Sequence, residues 1–294
     1  MQIRFLEYLV ALARERHFAR AAAACHVSQP TLSSGLAALE DTLGVRLVER
    51  DRRYSGLTAE GEAALPWAQA MLADHVELRA AIAAPAAHLA GELRLGVIPA
   101  AMPASGALVC TLVATYPGVA ITVRAMTSRE IEASLVTQDI HAGLTYLSHD
   151  PLPRVRQVSL STERYIFATH AAGRLGAQTE VSWEDVARER LCLLHEGMQN
   201  RRILDEHLAA RRIRIRPTAT TDSYVTLIAM VEAGGLSTII SDSYAPYMAG
   251  ATHVRAIPFC HPAPANVIGL VVPDRSLLSP MSRAAFDCAS RLSV

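Results

Sequence analysis

The chain contains no lysine. All 28 of its Lys and Arg residues are Arg, and 28 Asp and Glu balance them, so the formal net charge is zero. A chain with no net charge gains no nucleic-acid affinity from its overall field, and any such affinity has to come from local placement of guanidinium groups. No apolar run approaches the roughly twenty residues needed to cross a bilayer. The start MQIRFLEYLVALARER sets acidic and basic residues inside its apolar stretch and has no cleavage site, which argues against a secretory signal. The chain is therefore expected to be cytoplasmic, without a membrane partner. Its five cysteines, Cys25, Cys110, Cys192, Cys260 and Cys288, are odd in number, scattered and without metal-ligand spacing. Cys260-His261 is an adjacent pair, but zinc would need two or more further ligands from elsewhere, so no metal and no cofactor are expected. There is no nucleophile-base pair, Walker loop or GxGxxG turn, and hence no expected catalytic residue.

What remains is an ordinary globular composition, 51% hydrophobic and 19% charged, in a chain of 294 residues, enough for two or three domains with cores of their own. The most informative stretch is FARAAAACHVSQPTLSSGLAALEDTLGV. Phe18 to Ala24 are helix-prone, Cys25-His26-Val27 reads as a turn, and Ser28 is a good N-cap for a new helix. Pro30 falls in the first turn of that helix, where its missing N–H costs nothing. Leu32, Leu36, Leu39 and Leu43 then recur at helical spacing, an apolar stripe that faces a core. The other face carries Gln29, Thr31, Ser33 and Ser34, small and hydrogen-bonding, as a DNA major groove requires. Spacing alone also fits a helical hairpin with no DNA role.

Phe5, Leu9 and Leu12 give a bracing first helix. GVRLVERDRRYSGLT follows as short apolar runs about a basic turn, a two-stranded wing. Arg46, Arg50, Arg52 and Arg53 could reach phosphates from it. Residues 1–58 hold eight Arg against six Asp and Glu, a local charge of +2, which is modest for a lone DNA-binding domain. The run from FLEYLVALARERHFARAAAACHVSQPTLSSGLAALEDTLGVRLVER through LTAEG resembles the DNA-binding domain of the LysR-type transcriptional regulators. The resemblance implies double-stranded DNA as a partner. The candidate contacts are Arg20, Ser28, Gln29, Pro30, Thr31, Ser33, Ser34, Arg46, Arg50, Arg52 and Arg53. Where many members have an Arg and a Gln after the second Ser of the SQP-x-x-S motif, this chain has Ser34 and Gly35, and the glycine lowers helix propensity by about 1 kcal/mol relative to Ala.

Beyond Thr58, a plausible N-cap, AEGEAALPWAQAMLADHVELRAAIAA reads as one long helix with Leu65, Ala68, Leu72 and Val76 on a stripe and Pro66 near its start. In the resemblance this helix pairs two subunits; the alternative is that it packs on its own domain. Pro85 and Gly91 mark a hinge. Strands then alternate with helices, which implies parallel βαβ units. The expected fold is an N-terminal all-α winged helix-turn-helix with a long linker helix, followed by an α/β, two-lobed, periplasmic-binding-protein-like effector domain. The boundaries are placed at 1–58 for the DNA-binding domain, 59–91 for linker and hinge, and 92–294 for the effector domain. Lobe 1 would comprise 92–162 and 266–294, and lobe 2 residues 163–265.

The resemblance implies a small-molecule effector between the lobes, a homodimer or homotetramer, and contact with RNA polymerase. Strand ends and helix N-termini converge on such a cleft, and free N–H groups favour a small carboxylate or other anion. The candidate effector residues are Pro99, Ala100, Ala101 and Met102, Thr127 and Ser128, Tyr146, Met198, Gln199, Asn200 and Arg201, and Ser223, with Arg201 supplying charge. A redox-sensing regulator using Cys192 or Cys288 is the alternative within the family, and a two-lobed enzyme or solute-binding protein the alternative outside it. Buried, inert cysteine is the simpler reading, since reactivity needs exposure and a positive neighbourhood.

Overall fold

The computed structural model describes residues 2–50, 54–83, 89–250, 253–275 and 277–293, in two compact units: residues 1–90 with 133–140, and residues 91–132 with 141–294. The first unit is built on three helices, α1 (Ile3–Glu15), α2 (Phe18–Ala24) and α3 (Gln29–Leu43). Helix α2 starts on His17, whose Nδ1 accepts from the Ala19 N–H at 3.2 Å. The turn into α3 passes through His26, at a positive φ of 54°. Ser28 Oγ then accepts the Thr31 N–H at 3.3 Å, so the cap written in the sequence is the cap in the fold. Gly44 ends α3 in the left-handed region and donates to the Glu40 carbonyl, 2.8 Å away.

Leu32, Leu36 and Leu39 are buried against Leu6, Leu9 and Leu12 of α1. Leu43, expected to extend the stripe, is 46% exposed in the last turn. Gly35 is not merely a helix weakener. It is where α3 crosses α1, and a Cβ there would lie 2.6 Å from the Tyr8 ring. The wing is an antiparallel pair, β1 (Val48–Arg50) and β2 (Tyr54–Leu57). It is anchored to α3 by Glu40 Oε1, which accepts the N–H groups of Leu47 and Val48 at 2.9 and 3.2 Å.

Helix α4 (Ala59–Ala83) begins at Thr58, whose hydroxyl accepts the Gly61 N–H and donates to the Arg46 carbonyl. It continues through Pro66 as a single helix. The expected stripe is divided. Ala64, Ala68 and Leu72 pack on the core of the winged domain, whereas Trp67, Met71 and Leu78, about 80° round the helix, are exposed, as is Val76 of the expected stripe. Leu72, placed on the expected stripe, therefore packs on its own domain. Pro85 lies outside the described residues, and Gly91 has a positive φ of 129°.

From residue 90 onward the chain alternates strands and helices. β3 (Ala90–Val97), a 3-10 turn (Pro99–Ala101), α5 (Met102–Thr115), β4 (Gly118–Ala125), α6 (Ser128–Val136) and β5 (Ala142–Tyr146) come first. Then follow β6 (Val155–Glu163), β7 (Tyr165–His170), α7 (Trp183–Val186), β8 (Cys192–Leu194), α8 (Gln199–Ala210) and β9 (Ala219–Thr221). The chain continues with α9 (Tyr224–Glu232), β10 (Thr238–Ser241), α10 (Ala245–Met248), β11 (Val254–Pro258), β12 (Asn266–Pro273) and α11 (Pro280–Leu292). One lobe holds a five-stranded sheet in the order β4-β3-β5-β12-β6, the other the sheet β10-β7-β11 and the pair β8-β9.

The sheets are not uniformly parallel. β3 and β5 pair parallel, as do β8 and β9, but β12 runs antiparallel to both β5 and β6, and β7 antiparallel to both β10 and β11. The reason lies in the connectivity. β6 carries the chain out of the first lobe and β12 brings it back, so the two neighbours must point in opposite directions. Their pairing places Asn266 opposite Glu163 where both strands leave the sheet.

The close helix crossing at Gly35 gives a test. Gly35→Ala gains helix propensity of about 1 kcal/mol, yet it is expected to lower Tm, because overpacking a filled core costs about 1–3 kcal/mol. Gly61→Ala should lower Tm further, since its Cβ would meet the Leu47 backbone oxygen, which cannot rotate away. Thermal unfolding followed by circular dichroism decides; a raised Tm for Gly35→Ala would show that the Tyr8 ring moves aside without cost.

Candidate functional site

The N-terminal face of α3 is open. Gln29, Pro30, Thr31 and Ser34 are exposed and Ser33 is half-buried, while the Leu32 side chain between them points into the core. The Ser28 and Thr31 hydroxyls are 2.8 Å apart and hydrogen-bonded, which holds Thr31 at the helix start. Arg20 is exposed and donates to the Glu15 carbonyl at 2.7 Å. Arg46 is exposed at the foot of the wing. The Arg50 side chain and the wing-tip residues Arg52 and Arg53 lie outside the described residues.

In the second unit a cavity of about 220 Å³ opens where the strand ends meet α8. It is small beside ordinary ligand pockets of about 300–1,000 Å³. Of the residues singled out from sequence, Pro99, Ala100, Thr127, Ser128, Tyr146, Met198, Gln199 and Asn200 line it. Ala101, Met102, Arg201 and Ser223 do not. Ala101 is fully buried, Met102 opens α5, and Ser223 caps α9 by accepting the Thr226 N–H at 3.2 Å.

The exclusion of Arg201 matters most. Its Nε donates to both carboxylate oxygens of Asp205 at 2.9 and 3.0 Å, and its Nη1 donates to the Leu194 carbonyl at 2.8 Å. Asp205 stands one turn along the same helix, an i,i+4 spacing already visible in the sequence. The positive charge expected in the cavity is thus satisfied by its own helix.

The two helix N-termini at the cavity also differ. At α6, Glu130 Oε2 accepts the Thr127 N–H at 2.7 Å, and Thr127 Oγ1 accepts the Glu130 N–H at 3.2 Å. This is a capping box, spelled in the sequence as Thr127-Ser128-Arg129-Glu130. These bonds from the Thr127 backbone and hydroxyl hold the Glu130 carboxyl below its usual range. An incoming anion would have to displace Glu130, so α6 does not present the free N-terminus expected of it. At α8 the N-cap is Met198, and no side chain caps the helix. The Ser128 hydroxyl is also engaged: it donates to Gln199 Oε1 and accepts from Thr145 at 3.1 Å, and Gln199 Nε2 donates to the His149 carbonyl at 2.8 Å.

Sequence reasoning missed Glu130, Asp222 and Tyr224 in the lining. Tyr224 is buried, its ring stacks on Tyr244 with centroids 4.2 Å apart, and its hydroxyl has no hydrogen-bond partner. It also missed Glu163. Glu163 Oε1 accepts from the Tyr146 hydroxyl and from Asn200 Nδ2, the latter at 3.1 Å, and Asn200 Nδ2 also donates to the Tyr146 oxygen at 2.8 Å. Tyr165 closes the group by donating to the Asn200 carbonyl at 2.8 Å. Burial pushes the Glu163 carboxyl up to about 7; the neighbouring polar groups of Tyr146, Ser241 and Asn266 oppose the rise, and nearby Asp242 adds to it. Glu163 is the last residue of β6, and nothing local marks it as buried, because its partners come from β5, α8 and β12.

Comparison with known proteins places these features in a family. The family model described as "Bacterial regulatory helix-turn-helix protein, lysR family" matches residues 3–62, and that described as "LysR substrate binding domain" matches residues 86–293. The chain is 31% identical over 276 residues to the DNA-binding transcriptional dual regulator OxyR of Escherichia coli K12, covering 92% of this chain and 89% of that protein. It is 31% identical over 269 residues to a probable hydrogen peroxide-inducible genes activator of Mycobacterium avium, covering 90% and 86%. Among solved structures, a full-length OxyR variant of Pseudomonas aeruginosa superposes with a TM-score of 0.76 at 27% identity, covering 100% of this chain and 99% of that one. Full-length CbnR in complex with its target DNA superposes at 0.69 and 22% identity, with full coverage of both chains, a likeness of fold.

The raised Glu163 carboxyl carries a pH prediction. Because the folded protein holds this proton more tightly than the unfolded chain does, the contribution to stability is complete below about pH 4.5 and is lost as pH rises through about 7. Glu163→Gln, which keeps an acceptor for Tyr146 and needs no proton, is expected to flatten the fall in Tm between pH 5 and 8 relative to the parent. Parallel slopes for the two proteins would show that Glu163 is ionised in the fold throughout.

Proposed function

This chain belongs to the LysR family of DNA-binding transcriptional regulators, and we propose that it reads its site through the exposed start of α3 and takes its signal in the cavity at the start of α8. It is a regulator and not an enzyme, as its relatives are. The single observation behind the DNA reading is the open face Gln29-Pro30-Thr31 on a helix whose other side is sealed by Leu32, Leu36 and Leu39. Gln29 and Thr31 address base edges, and Arg20 and Arg46 address phosphates. The +2 charge of the winged domain leaves a single copy weakly bound, so two copies act together. The exposed face Trp67, Met71 and Leu78 of α4 is the pairing surface.

For the effector, the supporting observation is the combination of the uncapped α8 N-terminus with the buried, unpartnered Tyr224 hydroxyl on one cavity. Both offer hydrogen-bond donors, so an acceptor group, carboxylate or carbonyl, sits there. Glu130 and Asp222 line the same cavity and no Arg does, among the described residues. The effector is therefore not a bare anion: it carries its acceptor toward α8 and donors toward Asp222. Ser128 and Gln199 tie α6 to α8, and Tyr146 meets Asn200 beside them, so occupancy biases the relation of the lobes.

Oxidant sensing is a second reading, favoured by the relatives named as activators of hydrogen peroxide-inducible genes. Cys192 and Cys288 are fully buried here, and burial raises the Cys192 thiol, which gives neither the exposure nor the thiolate that peroxide chemistry needs. A mobility shift with and without peroxide, on the parent and on Cys192→Ser, separates the readings; a peroxide response abolished by the substitution favours the thiol.

Three outcomes test the main reading. In mobility shifts at graded salt, Gln29→Ala is expected to reduce discrimination between operator and mismatched sites by about 1–3 kcal/mol, while Arg46→Ala weakens all sequences alike and reduces the salt slope by about one. Unchanged discrimination in Gln29→Ala would remove α3 from the groove. In sedimentation, Met71→Asp is expected to give monomers with an intact winged domain, whereas Leu72→Asp disturbs the domain itself; a dimeric Met71→Asp protein would reject the seam. In calorimetry of the full chain against small amino acids and hydroxy acids, Tyr224→Phe should weaken binding by roughly 1 kcal/mol. If no compound of either class binds, or if Tyr224→Phe binds as the parent does, the effector assignment fails.

A further inference from the structure

The second unit holds another cavity, of about 380 Å³, which shares only Ala100 with the one described above. Its polar wall comes from the end of β6, with Ser161, Thr162 and Glu163, and from the turn after β10, with Asp242 and Ser243. The remaining wall is aliphatic, and among the described residues no Arg or His reaches it.

Glu163 is half satisfied, and Asp242 is only partly buried. Glu163 spends Oε1 on Tyr146 and Asn200, while its Oε2 is buried without a hydrogen-bond partner. Asp242 uses Oδ1 to accept the Arg164 N–H at 3.1 Å. A buried carboxylate oxygen with no donor is costly, and it is relieved either by a proton or by a donor that brings positive charge. Two carboxylates and three hydroxyls are also a poor cage for a metal: no group of three or more acidic, His or Cys side chains is gathered anywhere among the described residues. An alkylammonium group fits better. It has three N–H donors for these acceptors, and an apolar tail for the aliphatic wall.

We propose that this cavity is a second ligand site, which binds a primary alkylammonium group between Glu163 and Asp242. The site is distinct from the α8 cavity and does not depend on the effector reading given for it. It is nevertheless coupled to that cavity, because the Glu163 carboxylate that receives the ammonium also holds Tyr146 and Asn200. By linkage, if a ligand in one cavity changes affinity in the other by some factor, its own affinity is changed by the same factor when the other is filled. Binding exchanges the Glu163 proton for the cation, so affinity rises with pH. The other titratable groups facing Glu163 are Asp242 and the tyrosines Tyr146, Tyr165, Tyr224 and Tyr244, whose hydroxyls burial pushes upward and out of the neutral range.

Calorimetry and thermal shift on the full chain test the assignment, with n-butylammonium as the probe and tetramethylammonium as a cation of equal charge without N–H donors. Butylammonium is expected to bind and to raise Tm, with affinity increasing at least threefold from pH 6 to pH 8, while tetramethylammonium does neither. Asp242→Asn should weaken butylammonium at least tenfold, and Glu163→Gln should do the same while abolishing the pH dependence, so either variant suffices if the other does not fold. Asp222→Asn, in the α8 cavity, should leave butylammonium binding unchanged. No binding at millimolar butylammonium would overturn the proposal and leave an ordered water as the partner of Glu163. Binding lost in Asp222→Asn but kept in Asp242→Asn would overturn it too, by moving the amine to the other cavity.

Discussion

A carboxylate that is almost completely removed from water has to be held by donors, and in this protein the donors of Glu163 come from parts of the chain far apart in sequence. Tyr146 ends β5, Asn200 begins α8, and Asn266 opens β12 opposite Glu163 itself. The strands that leave and re-enter the first lobe therefore meet the helix of the second lobe at one oxygen atom. Removing water from this group makes each bond stronger and each missing bond more costly. The position of α8, and with it the donor end of the cavity, follows from that requirement.

The cavity shows how charge is arranged by local helix chemistry before any ligand is considered. Arg201 is neutralised by Asp205 on the next turn, and Glu130 closes the α6 N-terminus. Both partners lie within four residues, so these side chains are taken up at no cost in long-range ordering, and they are withdrawn from the site. What remains for a ligand is the uncapped start of α8, the Tyr224 hydroxyl and the carboxylate of Asp222. The pocket is thus polar in both senses, with donors on one side and acceptors on the other.

In the first unit a similar economy governs glycine. Gly35 and Gly61 are both placed where another part of the chain passes too close for a side chain, the Tyr8 ring in one case and the Leu47 carbonyl in the other. Helix propensity alone reads Gly35 as a weakness; the packing of α3 on α1 makes it a requirement. Helix α4 divides its apolar residues for the same kind of reason. One face must seal the winged domain, and Trp67, Met71, Val76 and Leu78 are left exposed.

Local signals were sufficient for local structure. Ser28 and Pro30 marked the start of α3 and the leucine spacing its buried side, because caps and periodicity act over three or four residues. The resemblance carried by the same stretch identified the family, and the proline after β3, Thr127-Ser128 and the start of α8 were all legible as cavity walls. The capping box at Thr127 and the Arg201–Asp205 pair were legible as well, had they been weighed against a ligand role. Tertiary structure alone decided the antiparallel course of β12, the burial of Glu163, the orphaned Tyr224 hydroxyl and the face that α4 leaves open. Each of these depends on which distant element arrives alongside, and the pattern of one strand or helix does not encode its neighbour.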